Sequence, residues 1–171
     1  IWQECYEYIY HSNALIENLE NSKAVSGVLA EQLVAEAKFI RAFSYFYLVN
    51  LFGDVPLLLT TDYRQNAVAT RTPADGVYTQ IIADLMDARK ALPKDFTAFG
   101  GERIRPTMWA ANALMARVFL YQRDWNSAEK QATSLIDSSN LFSIVQDLNG
   151  VFLARSTEAI WQLQPVVSNR N

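Results

Sequence analysis

Between Val28 and Phe52 the chain follows a helical period for 25 residues with very little polar surface. Leu29, Leu33, Ala37, Ile40, Ser44, Tyr47 and Leu51 form one stripe, and Phe39, Phe43, Phe46 and Val49 widen it. Glu31, Lys38 and Arg41 mark a narrow polar side. A helix this apolar has to be covered on two sides, so the chain must supply helices around it. Six aromatic residues fall between Phe39 and Phe52. Gly53 is placed as the C-cap, because glycine takes the left-handed conformation at little cost. Pro56 then prevents the helix from resuming.

Other helices assemble around it. Cys5, Tyr8, Ile9, Ser12, Leu15, Ile16 and Leu19 predict a first helix from about Trp2 to Leu19, broken at Asn21-Ser22 and Ser26-Gly27. Val55 to Arg71 reads as irregular chain, pinned to the body through Pro56-Leu57-Leu58-Leu59 and exposed from Thr61 onward. Thr72-Pro73-Ala74-Asp75 predicts a helix start, with Thr72 as N-cap and Pro73 at the first helical position. Val77, Ile81, Leu85, Ala88 and Leu92 continue it until Pro93. Arg105-Pro106-Thr107 opens a fourth helix to about Gln122, and a fifth runs from about Trp125 to Ile136. Ser138 to Gly150 reads as turn and loop. The alternation Ala159-Ile160-Trp161-Gln162-Leu163 suits a short strand or extended segment.

Composition excludes several functions. Half of the 171 residues are hydrophobic, enough to bury a core. A net charge of −3 does not suit nucleic-acid phosphates. One cysteine cannot form an internal disulfide or a zinc cluster, and one histidine, His11, leaves little for metal ligation or histidine-based catalysis. No glycine-rich phosphate loop and no run long enough to span a membrane is present. The first residues show no signal-peptide pattern, and Val166 to Asn171 follow an apolar stretch in want of a partner. The chain therefore reads as an internal piece of a longer protein.

Ala116, Phe119 and Ala128 match tetratricopeptide offsets, with small residues where two helices cross closely. Ala132, Leu135 and Asn140 depart from that pattern. Ala42 and Tyr45 repeat it in the long helix, whose partner is displaced by the loop and replaced by the helix carrying Ala88. The expected fold is all-α: tetratricopeptide-like repeats stacked as a short superhelix with long connecting loops.

A more specific likeness lies in Ala35-Glu36-Ala37-Lys38-Phe39-Ile40-Arg41-Ala42, continuing through Tyr45, Tyr47-Leu48-Val49 and Leu51-Phe52-Gly53-Asp54-Val55-Pro56-Leu57. It is followed in order by Val77-Tyr78, Ile81, Asp84-Leu85, Ala88 and Leu92-Pro93. Next come Arg105-Pro106-Thr107, Ala113-Leu114-Met115-Ala116-Arg117-Val118-Phe119-Leu120-Tyr121, Trp125 with Ala128, and Glu158-Ala159-Ile160-Trp161-Gln162-Leu163-Gln164. This series resembles the SusD/RagB family of outer-membrane nutrient-binding lipoproteins of Bacteroidota. The resemblance implies a glycan-binding surface subunit without bond-breaking chemistry, working with a SusC-like TonB-dependent transporter in carbohydrate uptake. It implies a lipid anchor on a cysteine upstream of this piece; Cys5 lies inside a helix pattern and is not that cysteine. Residues 1–60 would then close an N-terminal part and 61–171 open a C-terminal part of one helical-repeat region.

Individual residues weigh toward structure. Trp2, Trp109, Trp125 and Trp161 could stack on sugars, but their helical positions favour packing. The aromatics from Phe39 to Phe52 read as core. Glu36, Arg41 and Arg117 read as paired charges bridging helices, and Asp54 as a turn carboxylate accepting nearby backbone N–H groups. Asp84 with Asp87, and Asp54 with Asp62, read as solvated faces rather than acid–base pairs. His11 has no ligand pattern, Cys5 reads as a small core residue, and Gly100-Gly101 as a turn. No catalytic residue, metal ligand or cofactor is expected, and the glycan contacts stay unassigned. Two alternatives stand: an intracellular tetratricopeptide-like peptide-binding scaffold, and an all-α glycan hydrolase with paired carboxylates at a cleft.

Overall fold

In the computed structural model, which describes residues 1–20, 22, 24–25, 27–137 and 140–164, the long apolar helix is α2 (Gly27–Phe52). It is covered on two sides, as its composition requires: α1 (Trp2–Glu20) lies along one side and α4 (Ala74–Ala91) along the other. The α4 helix packs in turn on α5 (Met108–Tyr121), and α5 on α6 (Trp125–Ile136). One apolar core runs through this stack, from Ile9 through Phe39, Tyr45 and Leu48 to Ile81, Leu85, Met115 and Val118. The fold is the expected all-α stack of helical repeats, with α2 and α4 as one pair and α5 and α6 as the next. The expected helix breaks at Asn21 and Ser26, and the chain end from Val166 to Asn171, lie outside the described residues.

The long helix ends as expected. Gly53 takes φ 69°, and its N–H donates to the Val49 carbonyl at 3.0 Å. Beyond it the loop has more order than its composition predicts. The strands β1 (Val55–Pro56) and β2 (Arg71–Thr72) pair antiparallel, Val55 opposite Thr72, and close the loop at its neck. A single helical turn, α3 (Tyr63–Asn66), sits at the tip, where the Asp62 carboxylate accepts the Arg64 N–H.

The start of α4 corrects one expectation. Thr72 does not cap the helix, because it is committed to the ladder and its methyl lies against Gly76. Pro73 occupies the cap position instead, and the first free N–H, that of Ala74, donates to the Asp54 carboxylate at 2.9 Å. Asp54 therefore accepts a backbone N–H, as its turn context suggested, but from a helix twenty residues on rather than from its own turn.

Leu92 ends α4 with ψ 147°, the extended conformation that a following proline imposes. Gly100 and Gly101 both take positive φ behind a 3-10 turn, Thr97–Phe99, and form the expected turn. Arg123, with φ 62°, reverses the chain between α5 and α6, and Asp124 caps α6 by accepting the Ser127 N–H at 3.1 Å. The segment 159–163 is not a strand. Its backbone bends, and the Gln162 N–H reaches a single carbonyl, that of Arg103, at 2.8 Å. The alternation fails because Ile160 and Trp161 are both packed against the core, which a flat strand would not allow.

Candidate functional site

The charges inside the helices form one connected system. The Arg41 guanidinium, 6% exposed, donates from Nε and Nη2 to both oxygens of Asp84 at 2.8 and 2.7 Å. Its third contact, Nη1 to the Asn13 Oδ1, is 2.8 Å. Asn13 passes its own N–H groups to the Leu58 and Thr60 carbonyls, and Gln80 donates to Asp84 at 3.0 Å. This fork-shaped pairing uses most of the hydrogen-bonding capacity of both charges, which a buried pair needs. A second pair, Glu36 with Arg105 at 2.6 Å, ties α2 to the approach of α5.

The structure thus supports the reading of Glu36 and Arg41 as bridging charges and corrects it for Arg117. That residue is exposed, and no ion pair joins it among the described residues. It also corrects the reading of Asp84 as solvated: the residue is 2% exposed and locked to Arg41. Asp87 is held by Lys38 at 2.9 Å and Lys90 at 3.0 Å. Those hydrogen bonds, that from Lys38 first, keep its carboxyl below the usual range.

Several polar residues that sequence reasoning missed hold the loop after α2. Tyr45, on the buried side of α2, accepts the Leu58 N–H at 2.7 Å and donates to the Leu58 carbonyl at 3.0 Å. Burial pushes its hydroxyl upward in pKa. Tyr6 donates to the Pro56 carbonyl at 2.8 Å, and burial raises its hydroxyl to about 12. Glu17 accepts from the Thr60 and Thr61 hydroxyls and the Thr61 N–H, and those bonds lower its pKa. In the sequence these residues read only as helix positions, since their partners lie 13 to 50 residues away.

The four aspartates weighed as acid–base pairs have structural partners: Asp62 caps α3, Asp54 caps α4, and Asp84 and Asp87 are bound to cations. Among the described residues no cluster of three or more His, Cys, Asp or Glu could hold a metal ion. Cys5 is half-buried beside the core, and burial raises its thiol pKa; His11 is exposed, 3.9 Å from Glu7. No helix among the described residues is long and apolar enough to cross a membrane.

The tryptophans divide. Trp2 packs on Tyr6 and Phe52 at 5.0 and 4.9 Å. Trp161 meets Phe39 and Phe43 edge-on at 5.1 and 5.4 Å. Trp109 is half-buried, with its indole N–H on the Lys94 carbonyl at 2.7 Å. Trp125 departs from the packing expectation: it is 60% exposed at the first position of α6. It borders an open dent of about 460 Å³ whose floor is Ala116, Ala128 and Ala132. A second open groove, about 580 Å³, runs between Trp109 and the polar side of α6. The aromatics from Phe39 to Phe46 are core or packed against it, while Tyr47 and Phe52 at the helix end are partly exposed.

Comparison with known proteins places this arrangement. Residues 1–120 match the model of a SusD-like family described as starch-binding and associating with the outer membrane. A SusD-like protein of Formosa agariphila is 28% identical over 168 residues, which is 95% of this chain and 31% of that protein. A SusD superfamily protein from Parabacteroides distasonis superposes with a TM-score of 0.78 at 29% identity, covering 88% of this chain and 33% of the other. A laminarin-binding SusD-like protein does so with a TM-score of 0.78 at 26% identity, covering 84% and 32%. The chain thus spans about a third of the length of these curated relatives.

Proposed function

Because the chain belongs to the SusD/RagB family, we propose that it is the helical-repeat part of a glycan-binding surface lipoprotein that works with a SusC-like TonB-dependent transporter in carbohydrate uptake. The observation that carries this reading is the match over residues 1–120 to a starch-binding, outer-membrane-associating family. The laminarin-binding structural relative supports a glycan as the cargo class.

The geometry is consistent with binding rather than catalysis. The carboxylates of Asp54, Asp62, Asp84 and Asp87 serve as caps or ion-pair partners, so none of them is left for acid–base work. A helical stack cross-linked by buried polar pairs makes a stiff platform, which suits a subunit that holds a ligand or a partner. The lipid anchor lies outside this chain in this reading, at the cell surface of the outer membrane. Residues 1–60 close one part of the parent protein and 61–171 open the next.

The test uses the full-length parent, extracted from its native membrane in mild detergent. A large β-barrel protein co-purifies with it, and it is retarded in gels containing its polysaccharide. Absence of the barrel overturns the partnership, and unchanged migration across neutral polysaccharides overturns the cargo class. A reducing-end assay on the same preparation releases no sugar.

A further inference from the structure

The groove between Trp109 and α6 has a composition that neither the core nor the helix crossing requires. Its α6 wall is a polar stripe: Asn126, Glu129, Lys130, Thr133 and Asp137 recur at helical spacings and line the groove together. From Asn126 to Asp137 the stripe extends about 16 Å at 1.5 Å per residue, the scale of a short oligomer rather than a single ring. The opposite wall is aromatic. Trp109 stands at the second position of α5, its indole N–H held by the Lys94 carbonyl and its ring flanked edge-on by Phe142 at 6.4 Å. The one polar atom of that side chain is therefore satisfied, and the ring is fixed before any ligand arrives.

The charges in the stripe are unspent. Among the described residues no ion pair engages Glu129, Lys130 or Asp137. Two carboxylates face one ammonium, so the groove carries no positive excess for a phosphate or other anion. It offers donors and acceptors in alternation beside one rigid aromatic ring. Hydroxyl groups both donate and accept, and the C–H faces of a pyranose are apolar. A neutral saccharide matches both walls. A peptide would need several apolar pockets, and the groove has one apolar member.

We propose that the groove between Trp109 and the polar stripe of α6 is a binding subsite for a neutral oligosaccharide. This inference rests on the glycan-binding reading of the whole protein and adds a location and a ligand class to it.

The test measures binding of the full-length parent to immobilised neutral oligosaccharides of six to eight units, built from α- and β-linked glucose, mannose, xylose and galactose. Trp109→Ala and Thr133→Arg are compared with the unmodified protein on the sugars it retains. Thr133 is exposed, so the arginine fills the groove without touching the core. Both variants are expected to bind roughly tenfold more weakly, or to lose one site in the stoichiometry, with an unchanged melting temperature for Thr133→Arg. Full retention and stoichiometry in Thr133→Arg overturn the subsite and leave the glycan-binding reading intact. If the unmodified protein retains no sugar of the panel, both readings fall together.

Discussion

Two irregular stretches of the described residues are fixed in opposite ways. The loop from Val55 to Thr72 is tied down by side chains of the helices beneath it: Tyr6, Asn13, Glu17 and Tyr45 all bond to its backbone or hydroxyls. A two-residue ladder closes its neck. The segment from Asn140 to Gln164 is attached mainly through residues 102–104 and through its own aromatic side chains. Arg103, buried between Phe96 and Phe142, donates to the Leu141 and Ala159 carbonyls, and Trp161 packs on α2. Between those points Ile144, Leu148 and Phe152 stand 78%, 81% and 90% exposed. The first stretch behaves as part of a finished core. The second leaves apolar side chains in water, as a repeat stack does where a neighbouring layer is missing.

The contrast can be broken at its strongest point. Arg41→Ala leaves Asp84 buried without its cation and the Asn13 Oδ1 without its donor. Removing one partner of a buried pair costs about 3–5 kcal/mol, so urea unfolding should show a greatly lowered midpoint. A loss below about 1 kcal/mol would mean the network is ornamental to the loop.

Tyr45→Phe isolates a single anchor. It strands the Leu58 N–H, while the Leu58 carbonyl keeps its bond from Asn13, at a cost of about 1–3 kcal/mol. Hydrogen exchange at the Leu58 amide should accelerate far more than exchange along α5. Equal acceleration in both places would show that the loop is not held locally.

Glu17 gives the loop a pH dependence. Its hydrogen bonds to Thr61 and Thr60 depress its folded pKa below the ordinary 4.5. The contribution is therefore fully present above that value and is lost as pH falls through the lower, folded value. Glu17→Gln should weaken the protein at neutral pH, and the gap to the unmodified chain should close with acidification. A gap that stays constant across the acid range would assign the effect to shape instead of charge.

The smallest effect belongs to the second stretch. Phe152→Asp removes no packing, so the unfolding midpoint should shift by less than about 0.5 kcal/mol. Light scattering should show less self-association of the isolated chain. A clear destabilisation would mean that Phe152 is covered in solution.

The five long helices were legible because helix formation leaves a local, periodic mark, and their stops at Gly53 and Pro93 are set by the backbone of those residues. The short turn α3 and the β1–β2 ladder were not, since two-residue pairings carry no period. The tryptophans show the same limit. A helical stripe indicates which side chains share a face, yet Trp125 is exposed because no element described here packs over the start of α6. The groove at Trp109 needed both the α5 ring and the α6 stripe in place before its chemistry could be seen.

What the sequence determined by itself was the all-α class, the two-sided cover of the long helix, the absence of a phosphate loop and the family likeness carried by residues 35–57. Each depends on residues close together along the chain. What only the tertiary structure decided was the partner of each charge. Arg41 finds Asp84 across 43 residues, Glu36 finds Arg105 across 69, and Asp54 caps a helix twenty residues on. Periodicity places a charged side chain on a face, but its partner is set by which helices touch, and that follows from burying the apolar surface of α2 on both sides.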